Sequence, residues 1–121
     1  MQDFIIDTHI HIWDLEKVRY DWLDGDTSIL NRTWLPDELL PLMPQANVRY
    51  GVLVQAANNA EDTALMLAAA EKYDQIRGVV GWLPLMDPEE TLRLLQGKFL
   101  NEPYFMGVRH LIHNEPDPRW L

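Results

Sequence analysis

The sequence predicts an α/β protein of parallel strands, organised as the first four strand–helix units of a (β/α)8 barrel. Three observations carry this prediction. The pair Gly-Val recurs at Gly51, Gly78 and Gly107, at spacings of 27 and 29 residues, each time inside a segment typical of a buried strand. Helical patterns separate these segments, and units of this period form parallel sheets with right-handed crossovers. The Gly-rich phosphate loop of open dinucleotide-binding sheets follows none of the strands, which favours a barrel.

The length limits how much of a barrel the chain can form. A complete (β/α)8 barrel needs about 250 residues, and this chain has 121. We therefore expect residues 1–121 to form the N-terminal half of a barrel domain, with strands near 4–12, 49–55, 76–83 and 105–112. A half-barrel leaves two strand edges unpaired and an apolar interior open, so we expect a homo-oligomer or aggregation through these edges.

Composition excludes several classes of function. Nineteen acidic against ten basic residues give a net charge of −9, which argues against nucleic acid and anionic membranes as partners. The chain has no cysteine, so a metal ion would be held by His, Asp or Glu. No stretch approaches the roughly 20 apolar residues of a membrane span, and no leader pattern is present. A cytoplasmic location is the default expectation.

The first strand carries the strongest functional signal. Because side chains alternate along a strand, one face gathers Ile5, Asp7, His9, His11 and Trp13. His9 and His11 lie at the carboxyl end of the strand, where barrels place their active sites, and imidazole is a common ligand of zinc. We predict that both bind a divalent metal ion, most simply zinc; the alternative is that they are hydrogen-bonded interior residues. Asp7 either orients a histidine or satisfies backbone groups.

The connections between strands are predicted from caps and loop length. Residues 14–35 form a long segment rich in charge and aromatic rings, which is uncommon unless the segment is functional or mobile, so we expect it to overhang a site. A short helix follows over 35–40, with Pro36 in its first turn. Asn59 is the predicted cap of a helix ending near Tyr73, and Asp87 of a helix with Pro88 at its first position.

The ends of the later strands supply further site candidates. Gln55 and Trp82 end the second and third strands and could bind substrate at the barrel mouth, although packing or capping is their simpler role. Arg109 would place a guanidinium in the same mouth, where it is costly without an anion. A substrate carboxylate, a lactone oxygen or a developing oxyanion is the expected partner. The alternative is an ion pair with Asp7 or Glu115.

Several stretches together resemble one protein family, namely IDTHIHIWD, YDWLD, VLVQAAN, GVVGW and GVRHLIHNEPDPRWL. They are similar to the amidohydrolase-related (amidohydrolase 2) family, and within it to predicted metal-dependent barrel hydrolases that include sugar lactonases. The resemblance runs from end to end of the chain. It implies that His9 and His11 belong to a metal or substrate site, and that Arg109 and His110 lie close to the same mouth as catalytic candidates.

The resemblance also implies a reaction. A complete enzyme would hydrolyse a sugar lactone or a similar cyclic ester by attack of water on a carbonyl polarised by a metal ion or by Arg109. Some lactonase relatives work without a required metal. Further histidines and an acid/base aspartate would come from later strands, so we expect these 121 residues alone to be inactive. A decarboxylase of the same superfamily and a non-catalytic assembly module are the alternatives.

Overall fold

Four parallel strands form one sheet in the order β1-β2-β3-β4. The computed structural model describes residues 3–120, and for Asn114 only the backbone. The strands are β1 (Ile5–Ile10), β2 (Val48–Val54), β3 (Ile76–Gly81) and β4 (Phe105–Val108). Helices alternate with the last three strands, so the predicted architecture of half a (β/α)8 barrel is confirmed.

Three α-helices connect the strands, namely α1 (Pro36–Leu39), α2 (Ala60–Lys72) and α3 (Pro88–Gly97). Both predicted side-chain caps are present. The side chain of Asn59 accepts a hydrogen bond from the Asp62 N–H at 2.9 Å, and that of Asp87 accepts one from the Glu90 N–H at 3.1 Å. No helix within residues 3–120 is long and apolar enough to cross a membrane.

The strands are shorter at their carboxyl ends than the sequence predicts. β1 ends at Ile10 and β4 at Val108, whereas the hydrophobic pattern extends to residues 12 and 112. Beyond Val108 the backbone changes partners. The Arg109 N–H still donates to the Gly81 oxygen at 2.9 Å, but the Leu111 N–H donates to the Asn58 side chain instead of to a strand.

The apolar core lies between the sheet and the helical layer. Its buried members are Ile10, Ile12, Leu53, Met66, Ala69, Ala70, Ile76 and Val79. Since Ile10 and Ile12 belong to this core, the alternation of side chains directs His9 and His11 to the opposite face of β1. The register of β1 against β2 shifts between Asp7 and Ile10, so the regular alternation predicted from Ile5 onward is interrupted there.

The long segment over residues 14–35 is anchored to the domain. A β-bridge joins Trp13 to Trp34 across the segment, with backbone hydrogen bonds of 3.0 and 2.8 Å. The buried Tyr20 hydroxyl donates to Oδ1 of Asp62 at 3.2 Å and accepts from the Asp14 N–H at 3.2 Å. These contacts fix the segment beside the start of α2.

Both outer strands have a free edge within residues 3–120. β1 pairs only with β2, and β4 pairs only with β3. Large apolar side chains are exposed along these two strands or next to them, namely Phe4, Ile5, Ile6, Met106 and Val108. The sheet therefore ends in two unpaired, partly apolar edges.

Candidate functional site

His9 and His11 converge at the carboxyl end of β1. Their Nε2 atoms lie 3.0 Å apart, and their rings meet edge to face with centroids 4.8 Å apart. Asp7 does not contact either ring through a hydrogen bond. Its Oδ1 accepts a hydrogen bond from the backbone N–H of His9 at 3.0 Å. Of the two roles expected for Asp7, orienting a histidine or satisfying a backbone group, the structure shows the second.

The tautomer of His11 is fixed by its surroundings. Nδ1 of His11 lies 2.8 Å from the backbone oxygen of Val54, and a carbonyl oxygen can only accept a hydrogen bond. Nδ1 therefore carries the proton, and Nε2 keeps its lone pair. Burial lowers the pKa of His11, the bond to Val54 opposes this change, and the nearby His9 and Arg109 lower the pKa further. His11 is held as a neutral imidazole, the form that binds a metal ion.

A cavity of about 320 Å³ opens beside His11. Its lining residues are His11, Trp13, Trp22, Gln55, Ala56, Arg109, Leu111 and His113. Arg109 donates to the backbone oxygen of Gln55 at 3.2 Å. No carboxylate within residues 3–120 forms a salt bridge with Arg109, and Glu115 pairs with His110 instead. The predicted alternative, an ion pair of Arg109 with Asp7 or Glu115, is therefore wrong.

Gln55 reaches the cavity wall, although its side chain is fully buried. The amide Nε2 donates to the Ala57 oxygen at 3.1 Å and to Oδ1 of Asn58 at 3.0 Å. Leu53, on the same face of β2, belongs to the core. The contact of Gln55 with Arg109 is made by its backbone carbonyl, so its substrate-binding role stays a prediction.

Trp82 and His110 contact each other rather than the His9–His11 pair. The indole N–H of Trp82 donates to Nδ1 of His110 at 3.0 Å, and Nε2 of His110 lies 2.6 Å from Oε1 of Glu115. Trp120 stacks on the His110 ring with centroids 4.3 Å apart. Neither residue lines the cavity beside His11. A substrate-binding role for Trp82 and a catalytic role for His110 stay predictions.

Three further residues belong to the site, and the sequence predicts neither the role of Asn58 nor the contact between Trp13 and Trp22. Asn58 bonds to Gln55 and to both backbone groups of Leu111. Trp13 and Trp22 meet edge to face, with centroids 5.2 Å apart, on the cavity wall. The position of Trp13 on the His9/His11 face and the aromatic content of residues 14–35 indicate a wall of this kind. No local pattern identifies Asn58, because Leu111 lies 53 residues further along the chain.

The His9–His11 pair fits two positions of a metal site. Two imidazole nitrogens bound to one zinc ion lie about 3 Å apart, since each Zn–N bond is about 2.0–2.1 Å. The hydrogen bond from Nδ1 of His11 to a backbone oxygen is also the usual support of a metal-binding histidine. Among residues 3–120 no group of three or more His, Asp or Glu side chains is arranged to hold a metal ion. The described residues supply two ligands.

Two curated proteins with similar sequences are named L-fucono-1,5-lactonase. The chain is 32% identical over 114 residues to the L-fucono-1,5-lactonase of Burkholderia multivorans (strain ATCC 17616 / 249), which covers 94% of this chain and 38% of that protein. It is 27% identical over 118 residues to the L-fucono-1,5-lactonase of Burkholderia ambifaria, covering 98% and 40%. The chain thus spans about two fifths of the length of the curated relatives it matches.

Solved structures share the fold. The crystal structure of an amidohydrolase from Burkholderia multivorans with bound zinc superposes with a TM-score of 0.78 at 31% identity, covering 95% of this chain and 39% of that one. A probable 2-pyrone-4,6-dicarboxylic acid hydrolase from Acinetobacter baumannii, with a TM-score of 0.56 and 20% identity, shares the fold. The Amidohydrolase family itself matches residues 6–121. The chain therefore belongs to the Amidohydrolase family, as its motifs predict.

Proposed function

We propose that this chain forms the N-terminal half of a barrel hydrolase that opens a sugar lactone or a similar cyclic ester. The observation that carries the proposal is that His11 and Arg109 line one cavity at the carboxyl ends of β1 and β4, and that Nε2 of His9 lies 3.0 Å from Nε2 of His11. A lactone is an ester with an electrophilic carbonyl, and its hydrolysis needs an activated water and a cation beside the developing oxyanion. The named L-fucono-1,5-lactonase relatives support the same substrate class.

Arg109, Trp13 and Trp22 have proposed roles in binding the substrate. Arg109 has no carboxylate partner in the described chain, so its guanidinium is available to the carbonyl oxygen of a lactone. Trp13 and Trp22 give the cavity an apolar wall for the ring of the substrate. In the reaction the oxygen of water bonds to the carbonyl carbon, the ring C–O bond breaks, and the released alkoxide takes a proton. We assign the acid/base group for that proton to a part of the barrel outside these 121 residues.

A divalent metal ion is part of the proposal. His9 and His11 would hold it, and a bound zinc ion supplies Lewis acidity and lowers the pKa of its bound water. The chain's own contribution is to keep His11 neutral and oriented through Val54. The zinc in the related amidohydrolase structure supports this assignment.

The two free sheet edges lead to a proposal about assembly. We propose that the isolated chain associates with a second copy of itself, since unpaired strands with exposed apolar side chains are templates for pairing. Four strands from each of two copies equal the eight strands that close a barrel.

Lactone hydrolysis by the natural gene product that contains residues 1–121 tests the proposed function. We expect release of acid from L-fucono-1,5-lactone, and a loss of 10²–10³ in kcat for Arg109→Ala if Arg109 stabilises the oxyanion. Arg93→Ala is the matched control, because Arg93 pairs with Glu90 on the exposed face of α3. A folded gene product that hydrolyses no sugar lactone would overturn the proposal.

A further inference from the structure

Both ring nitrogens of His110 are engaged inside the chain. Nδ1 lies 3.0 Å from the indole nitrogen of Trp82, and Nε2 lies 2.6 Å from Oε1 of Glu115. The His110 side chain is 8% exposed, and Trp120 covers one face of the ring at an interplanar angle of 10°. The ring therefore has three neighbours that fix its plane and both of its polar edges.

These partners determine the protonation state of His110. An indole N–H can only donate, so Nδ1 of His110 must accept and carries no proton. A neutral imidazole then has its proton on Nε2, and this N–H donates to the Glu115 carboxylate. The imidazolium form would place an N–H on Nδ1 against the N–H of Trp82. His110 is thus a neutral ring of one tautomer.

Asn58 does not change this assignment. Its amide orientation is set by Leu111, whose N–H donates to Oδ1 of Asn58 at 2.9 Å and whose oxygen accepts from Nδ2 at 3.1 Å. Nδ2 of Asn58 lies 3.2 Å from Nε2 of His110, but both atoms carry hydrogens in this arrangement. The contact is a close approach of two donors and leaves Glu115 as the acceptor.

The same cluster holds the backbone that presents Arg109. The Arg109 N–H donates a hydrogen bond to the Gly81 oxygen. The His110 side chain accepts one from Trp82, and the Leu111 N–H donates one to Asn58. Residues 109–111 have left the regular strand, since β4 ends at Val108. Side-chain contacts replace the missing strand pairing at the point where the guanidinium enters the cavity.

We propose that His110 is a positioning residue: a neutral imidazole with its proton on Nε2, clamped between Trp82 and Glu115, that fixes the backbone presenting Arg109. In this role it donates one hydrogen bond and accepts one, and it transfers no proton to the substrate. The effect on catalysis rests on the proposed lactone hydrolysis. The tautomer of His110 and its two hydrogen bonds to Trp82 and Glu115, together called the clamp, do not depend on that function.

Nitrogen-15 NMR of the histidine rings tests the clamp without any assay of activity. At neutral pH we expect a pyridine-type Nδ1 and a pyrrole-type Nε2 for His110, and a mixture of tautomers for the exposed His113. Trp82→Phe removes the donor to Nδ1 and should allow a proton on that nitrogen, so that a ring protonated on both nitrogens appears beside Glu115. A protonated Nδ1 on His110 in the unaltered protein would overturn the proposal.

Two substitutions at His110 separate positioning from proton transfer. His110→Gln keeps one donor and one acceptor but cannot act as an acid or base near neutral pH, whereas His110→Ala removes both bonds. With the natural gene product and a sugar lactone, we expect His110→Ala to lower kcat/KM about tenfold or more, and His110→Gln to recover most of that loss. A Gln variant as impaired as the Ala variant, in a folded protein, would instead assign His110 to proton transfer. If no lactone is hydrolysed, the proposed function fails and the NMR result still decides on the clamp.

Discussion

Nδ1 of His11 lies 2.8 Å from the backbone oxygen of Val54, so Nε2 of His11 keeps its lone pair and faces Nε2 of His9 at 3.0 Å, a distance at which one cation can bind both nitrogens. We therefore expect zinc added to the 121-residue chain to perturb the ring nitrogens of His9 and His11 first. Binding should be weak, because the described chain supplies only two ligands and structural zinc sites use four. Titration with Zn²⁺, followed by histidine ring NMR, measures the effect.

Single variants test which histidine side chains bind the zinc ion. His9→Ala and His11→Ala should each abolish the first perturbation, since one imidazole is left in either case. His113→Ala is the matched control, because His113 lines the cavity but forms no hydrogen bond with His9 or His11 in the described residues. Equal zinc affinity in the unaltered chain and in His11→Ala would contradict the assignment.

The order of the elements could be predicted from the sequence because its signals are local. The Asn59 and Asp87 caps depend on neighbours three residues apart, and each Gly-Val pair lies inside a strand pattern of a few residues. Both features appear in the structure, whereas the alternation around His9 is interrupted by the register shift between Asp7 and Ile10. The strand ends could not be predicted in the same way. The hydrophobic pattern continues past Val108, but the backbone there bonds to Asn58, a partner that only the fold brings close.

The residues of the candidate site also differ in whether local sequence patterns predict their contacts. The convergence of His9 and His11 follows from their spacing of two residues at the end of β1, whereas the contacts of Arg109 with Gln55 and of His110 with Trp82 join residues 54 and 28 positions apart. Charge alone allows an ion pair of Arg109 with Glu115. In the structure Glu115 bonds to the neighbouring His110, because the tail folds back over that ring.

The Tyr20 hydroxyl links residues 14–35 to α2 through hydrogen bonds. It bonds to the Asp14 N–H and to Asp62, and all three residues are buried. Tyr20→Phe leaves two buried polar groups without this partner, so we expect a loss of about 1–3 kcal/mol in the free energy of unfolding. Urea denaturation measures it. Tyr50→Phe is the control, since the Tyr50 hydroxyl makes no hydrogen bond within residues 3–120; an equal loss there would contradict the prediction.

The Asp62 carboxyl should give the protein a specific pH dependence. Burial raises the pKa of Asp62, although hydrogen bonds from Ala56, Ala57 and Tyr20 oppose the change. The folded state therefore binds the proton more tightly than the unfolded state. The stabilisation is fully present below the unfolded pKa of about 3.9 and is lost as the pH rises through the folded pKa.

A comparison with Asp62→Asn isolates this contribution. The free energy of unfolding of the unaltered chain, minus that of Asp62→Asn, should fall as the pH rises from about 4, by at most about 1.4 kcal/mol per pH unit. Urea denaturation at a series of pH values gives the difference, and Asp74→Asn at an exposed position is the control. A difference that rises with pH would show that hydrogen bonding outweighs burial.

Two strand glycines differ in the space around them. A Cβ on Gly81 would lie 2.8 Å from Cε2 of Phe105 and 2.8 Å from Cγ2 of Thr63, whereas a Cβ on Gly107 would approach Val80 no closer than 3.5 Å. We expect Gly81→Ala to cost about 1–3 kcal/mol in the free energy of unfolding through overpacking. Gly107→Ala, the matched control, should change stability little. Thermal denaturation of both variants measures the contrast, and equal effects would mean that the packing around Gly81 adjusts.

The free edges of β1 and β4 should govern self-association of the chain. Ile6 and Val108 are 49% and 38% exposed on these strands, so a lysine at either position adds a charge that opposes edge-to-edge pairing. Sedimentation velocity should detect dimers or larger species of the unaltered chain and a shift toward monomer for Ile6→Lys combined with Val108→Lys. Leu100→Lys is the control, because Leu100 is 72% exposed and lies outside both strands. A stable monomer of the unaltered chain would refute pairing through the edges, and an equal shift caused by Leu100→Lys would assign the association to net charge.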